Sequence, residues 1–221
     1  MRDLKVKKLT TLSILSAIAF LLTYLFYILP IPAFVPAAPF LNYEPKDVII
    51  MIGGFLYGPL AVIPMAIVVS MLEMPFSGTG VIGLAMNVIS TCTFACTAAV
   101  IYRRWRTILG AAVGLTCGVI VMTGVMLLWN FLLTPIFLGW PREAVVPLLL
   151  PGFLPFNLVK GGLNAAMTIL LYKPIRAALI KSNMLPEMLE KEKKPTRIHY
   201  GIILVALFVI ITCVLFILLI Q

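Results

Sequence analysis

"DVIIMIGGFLYGPLAVIPMAIVVSMLE", residues 47 to 73, is an apolar run too long for one membrane crossing, and how it divides decides the fold. A window of about 20 apolar residues spans a bilayer. Gly58-Pro59 supplies the division, because proline lacks an amide donor and disfavours helical geometry in the residue before it. The run therefore reads as two short packed segments. Further apolar windows lie near 9–29, 80–102, 107–134, 153–172 and 200–220, giving six segments and a seventh at the C-terminus. The first window, about 20 residues, exceeds the 7 to 15 of a secretory signal and reads as a helix.

Composition agrees with a membrane chain. Hydrophobic residues make up 62% of the sequence and charged residues 11%, against about 25% charged in soluble domains; mean hydropathy is +1.11. The expected class is an all-α, multi-pass integral membrane protein in the lipid bilayer.

Fourteen of the 17 basic residues fall in three clusters: before segment one (Arg2, Lys5, Lys7, Lys8), after segment four (Arg103, Arg104, Arg106) and after segment six (Lys173 to Arg197). Strict alternation of the segments puts all three on one side, which the positive-inside rule makes cytoplasmic. The N-terminus is therefore expected inside. The net charge of +9 is a topology signal, and the absence of a basic face with interleaved aromatics argues against a nucleic-acid partner. Lys46, Arg142 and Lys160 break the pattern.

No polar linker interrupts residues 9–182, so residues 1–182 read as one membrane domain. Residues 183–197 read as a cytoplasmic hinge of mixed charge, and 198–221 as an additional transmembrane helix with an anchoring or packing role. Two proline-rich stretches, 30–47 and 134–152, read as outer loops that cap something.

Several motifs carry no chemistry. "GTGVIG", 78–83, has dinucleotide-loop spacing but joins two membrane segments, so it reads as a flexible outer loop. No P-loop stretch exists, so any ATP-driven engine must reside on another chain. His199, the single histidine, has no placeable serine or acidic partner, and Glu73 is a lone carboxylate near an apolar segment; neither makes a catalytic pair. The four cysteines lack C-x-x-C pairing and read as small buried hydrophobes; no metal site is expected.

The polar residues of segment six are the exception. In "PFNLVKGGLN", 155–164, Asn157, Lys160 and Asn164 fall at i, i+3 and i+7 and share one helix face. Pro155 suits the first turn, which puts Lys160 roughly 7 Å below the outer end. Gly161 and Gly162 permit close approach by a neighbour. An ionised lysine at mid-membrane costs about 2.5 to 3.5 kcal/mol, a cost met if a small guest pairs with it. Alternatively Lys160 snorkels to headgroups while the asparagines bridge helices. Asn130, beside Trp129 in segment five, and Asn87 in segment four come to comparable depth. Amides and one cation among aromatic and aliphatic walls suit a flat, largely apolar solute with a few hydrogen-bonding edges.

With these residues in place, "YEPKDVIIMIGGFLYGPL" (43–60), "GLAMNVIS" (83–90), "WNFLLTPIFLG" (129–139) and "PFNLVKGGLN" together resemble the riboflavin-type S components of energy-coupling factor (ECF) vitamin transporters, over about residues 9–182. The resemblance implies a six-helix bundle, here with an additional C-terminal helix, in a prokaryotic cell membrane. It implies high-affinity capture of riboflavin near the outer face with no catalysis of its own and no cofactor, and partnership with a membrane scaffold subunit and two ATPase subunits. By the same likeness Asn130, Asn157 and Lys160 contact the flavin, with Asn87, Asn164 and Trp129 grouped beside them. Ser13 and Ala17, a small-x-x-x-small pair with Ser16 adjacent, would dock on the scaffold by similarity to the family's Ala-x-x-x-Ala motif. "EPKD" departs from the apolar-acidic-Ser-Asp type of stretch expected there. Other vitamins (a folate, pantothenate or a thiamine-like compound) remain alternatives, as does, from another class, an integral membrane enzyme acting on lipid.

Overall fold

A computed structural model describes residues 2–29, 41–185 and 200–220. Gly58, at φ 89°, separates α2 (Lys46–Tyr57) from α3 (Pro59–Ser77), with Pro59 at the first helical position. The dihedral is one that L side chains adopt only under strain, so this glycine makes the hairpin possible. At 12 residues α2 is about 18 Å long, too short to span a hydrocarbon core of about 30 Å. Eleven of its residues are buried, as expected of a helix apolar on every side, and it serves as the inner core of the bundle. Ile49, Ile50, Met51 and Phe55 pack there with Leu15 of α1 (Arg2–Ile28) and with Val62, Met65 and Val69 of α3.

Around it stand α4 (Gly80–Arg104), α5 (Ile108–Leu138) and α7 (Leu154–Lys181). α4 and α5 form the closest helix pair: a Cβ at Gly114 would lie 2.8 Å from the Ala98 carbonyl oxygen, and one at Gly118 2.7 Å from that of Phe94. In lipid, where apolar side chains gain nothing by leaving their surroundings, such backbone approach is a main source of association. Among the described residues, five helical stretches are long and apolar enough to cross a membrane: 4–28, 59–77, 80–104, 108–138 and 142–181. α8 (Tyr200–Ile220) is the additional helix. It packs on α7, where Cys213 and Val209 lie within 3.7 Å of a Cβ built at Gly162.

Two expected loops turn out differently. α5 runs through Pro135 and ends at Gly139, φ 65°; a proline in a membrane bundle is tolerated because neighbouring helices re-satisfy the freed groups. The stretch 134–152 is helical through most of its length, with α6 (Arg142–Leu148) continuing by a π turn (Leu149–Phe153) into α7. The wider turn accommodates Pro151, which has no amide to donate. "GTGVIG" shrinks to a two-residue turn at Gly78 and Thr79, and Gly83 lies inside α4. Residues 30–40 and most of the expected hinge, including His199, lie outside the described residues.

The described residues of the basic clusters gather at one end of the bundle. Lys7 donates to Asn183 Oδ1 (3.1 Å), Thr11 to the Met184 carbonyl (2.9 Å), and Lys8 stands over the Tyr57 ring at 5.8 Å. There too Tyr102 of α4 and Tyr172 of α7 meet hydroxyl to hydroxyl at 3.3 Å. The opposite end holds the C-terminus of α1, the α3–α4 turn and the start of α7.

Candidate ligand-binding cavity

That opposite end opens into a cavity of about 740 Å³, counted out to its mouth. Ile82, Met86, Met126, Phe137 and Phe156 supply apolar wall, drawn from α4, α5 and α7. Asn87, Asn130, Asn157 and Lys160 supply polar atoms, with Ser90 and Thr134 beside them.

The asparagines differ in what they have left to offer. Asn157 Nδ2 donates to the Phe153 carbonyl (2.7 Å), one turn back, leaving Oδ1 with no partner among the described residues. Asn130 Nδ2 donates to the Met126 carbonyl (2.7 Å), and its Oδ1 accepts from Thr134 (3.1 Å). A carbonyl has two lone pairs, so Oδ1 retains one. Asn87, half-buried on α4, makes no hydrogen bond to the described residues and keeps both donor and acceptor.

At and behind the cavity wall five ionisable side chains meet, none more than 5% exposed: Glu44, Lys46, Asp47, Glu73 and Lys160. Lys160 Nζ donates to Glu44 Oε2 at 2.7 Å and lies 3.8 Å from Asp47 Oδ2. Lys46 Nζ is 3.3 Å from the same Glu44 oxygen and hydrogen-bonds Glu73 Oε2. Asp47 also accepts from Thr91 (2.6 Å) and Asn164 (3.2 Å). Burial works to raise the Glu44 carboxyl, but the ammoniums of Lys160 and Lys46 outweigh it and hold it at about 2. Glu44 therefore stays ionised, and the network ties α2, α3, α4 and α7 to the stretch before α2.

The polar stripe of segment six faces inward as its spacing requires: Asn157, Lys160 and Asn164 are all buried, and Lys160 does not snorkel. The reason the ammonium is tolerated is different from the expected one. It is compensated by the protein's own carboxylates, whose removal would leave it costly in lipid, and no guest is needed to neutralise it.

Two residues grouped with the ligand set lie off the cavity wall. Asn164 is engaged in the network at both ends of its amide, donating to Asp47 and the Glu44 carbonyl and accepting from the Tyr43 hydroxyl (2.7 Å), so it pins the stretch before α2. Trp129, half-buried, points about 100° away from Asn130, its neighbour on α5. On α1, Ser13 and Ala17 are exposed on the bundle's outer face, whereas Ser16 is buried with its hydroxyl on the Leu12 carbonyl (2.9 Å). Ser16 is thereby separated from the surface that Ser13 and Ala17 share.

Sequence reasoning missed Glu44, Lys46, Asp47 and Glu73 as a unit. The available signal was charge in apolar surroundings: ionisable groups at membrane depth face the interior and pair with one another, and Lys46, Glu73 and Lys160 were each noted singly. Arg142, the third stray cation, stands over the Phe131 ring at 5.5 Å.

Comparison with known proteins follows the same lines. Residues 7–172 match the family described as "ECF transporter, substrate-specific component". The chain is 35% identical over 173 residues to the riboflavin transporter RibU of Staphylococcus aureus (strain TCH60), covering 76% of this chain and 89% of that one. It is 32% identical over 168 residues to the riboflavin transporter FmnP of Bacillus subtilis (strain 168), covering 72% and 86%. A solved chain described as "Structure and mechanism of the S component of a bacterial ECF transporter" superposes with a TM-score of 0.66 at 34% identity, covering 79% of this chain and 98% of that one. The family match ends before α8.

Proposed function

We infer function from membership: the chain belongs to the substrate-specific components of ECF transporters, and it takes up riboflavin across the membrane as their substrate-binding subunit. The observation that carries the site assignment is the cavity itself, where amide groups of α4, α5 and α7 with hydrogen-bonding capacity to spare converge with a compensated ammonium between apolar walls. An isoalloxazine ring is broad and apolar, and its pyrimidine edge sets an N–H between two carbonyls. Met86, Met126 and Phe156 would bury the ring faces, while Asn87, Asn130 and Asn157 match the polar edge. Lys160 would donate to a ring carbonyl or a ribityl hydroxyl.

Each paired amide contributes about 1 to 3 kcal/mol, roughly tenfold to a hundredfold in affinity. The purified chain is expected to carry a yellow ligand or to quench added riboflavin fluorescence at one equivalent. A colourless protein that leaves riboflavin fluorescence unchanged, while binding a folate, pantothenate or thiamine, would overturn the ligand.

Orientation follows from the two ends of the bundle. The basic end faces the cytoplasm by the positive-inside rule, which places the N-terminus inside and the cavity at the outer face. As a substrate-specific component of an ECF transporter, and with no P-loop of its own, the chain works with a membrane scaffold subunit and two ATPase subunits that supply the ATP hydrolysis. The exposed Ser13 and Ala17 form the flat strip on α1 where the scaffold packs. Ser13→Leu/Ala17→Leu points outward and meets no neighbour within the bundle. Riboflavin affinity should stay within about twofold while uptake by cells falls to background; normal uptake would refute the docking surface.

A further inference from the structure

We propose that Lys46 and Glu73 are positioning residues for ligand capture: they hold the Glu44 carboxylate, and through it the Lys160 ammonium, at the cavity wall as a fixed acceptor beside a fixed donor. The inference rests on the reading of the cavity as the riboflavin site and deepens it.

Neither residue lines the cavity; Glu44 and Lys160 do. Glu44 belongs to a stretch, 41–45, with no helix or strand of its own, so its side chain is placed by its partners. Those partners are Lys160 and Lys46 at the carboxylate and Asn164 at the backbone carbonyl. Lys46 is itself held by Glu73 of α3. Both ammoniums converge on one Glu44 oxygen, Oε2, and Oε1 has no partner among the described residues. That oxygen can accept an imide N–H or a hydroxyl from a guest. Lys160 in turn has three N–H groups; Glu44 accepts from one and Asp47 stands 3.8 Å off as an ion-pair partner, which leaves donor capacity for the cavity. A solute edge that sets a donor beside an acceptor, as a flavin pyrimidine edge or a ribityl chain does, fits this pair.

The cluster contains two ammoniums and three carboxylates. Removing Lys46 and Glu73 together takes one of each, so the variant Lys46→Met/Glu73→Leu leaves the formal balance unchanged and tests placement alone. Exchanging a whole buried pair for apolar side chains is often neutral for stability, and the variant is expected to fold with a helical spectrum like that of the parent. Its riboflavin dissociation constant should rise about tenfold. Glu44→Gln should weaken binding too, and the triple variant should bind no more weakly than Glu44→Gln alone, because the pair acts through Glu44.

Unchanged affinity in the double variant would overturn the proposal. So would losses that multiply in the triple variant, which would mark the pair as merely structural. If the double variant does not fold, the nearly isosteric Glu73→Gln replaces it in the same cycle with Glu44→Gln, with a several-fold loss expected and parental affinity contradicting. Failure of the parent chain to bind riboflavin would instead remove the site reading, and this proposal with it.

Discussion

Replacing Lys160 with methionine is expected to weaken riboflavin binding by about a hundredfold or more. Two losses combine. The cavity loses its cationic donor, and the carboxylates of Glu44 and Asp47 lose the ammonium at 2.7 and 3.8 Å that compensates them. Stranding one side of a buried pair costs about 3 to 5 kcal/mol, so the variant should also melt earlier. Adding Glu44→Gln separates the two effects: removing the partner charge should recover much of the lost stability but none of the lost affinity. Titration by fluorescence quenching together with a thermal melt in detergent reads both. Parental affinity in Lys160→Met would show that the ammonium serves only the network behind the cavity.

Gly118→Leu is expected to have the larger effect on the fold. A Cβ there would stand 2.7 Å from the Phe94 carbonyl oxygen and 3.1 Å from its ring, and the near obstacle is backbone, which cannot swing aside. α4 and α5 must separate or slide, at a cost of about 3 kcal/mol, equivalent to about 10 °C in melting temperature for a chain of this size. Because Asn87 and Asn130 stand on these two helices, riboflavin binding should fall as well. Gly124, where a Cβ would meet nothing within 4 Å, is the control: Gly124→Leu on the same helix should melt like the parent.

Local rules made the helical framework legible. The division at Gly58-Pro59, the span lengths and the inward face shared by Asn157, Lys160 and Asn164 follow from proline geometry, bilayer thickness and a repeat of 3.6 residues per turn. Proline was misleading where tertiary packing supplies what it removes, at Pro135 and Pro151. The charge network was not legible because its pairings are long-range: Glu44 meets Lys160 116 positions away, and Lys46 meets Glu73 27 positions away. No periodicity links such residues. Glycine spacing in segment five also gave no warning that α4 would come within backbone contact of Gly114 and Gly118, since small residues are common throughout membrane helices.

The cavity's role rests on which atoms meet the ligand, and a structure determined with riboflavin bound measures that directly. The isoalloxazine ring should lie between Met86, Met126 and Phe156, with its pyrimidine edge within about 3.2 Å of the amides of Asn130 or Asn157 and a flavin oxygen equally close to Lys160 Nζ. Riboflavin bound elsewhere, with this cavity empty and Asn87, Asn130, Asn157 and Lys160 untouched, would contradict the assignment.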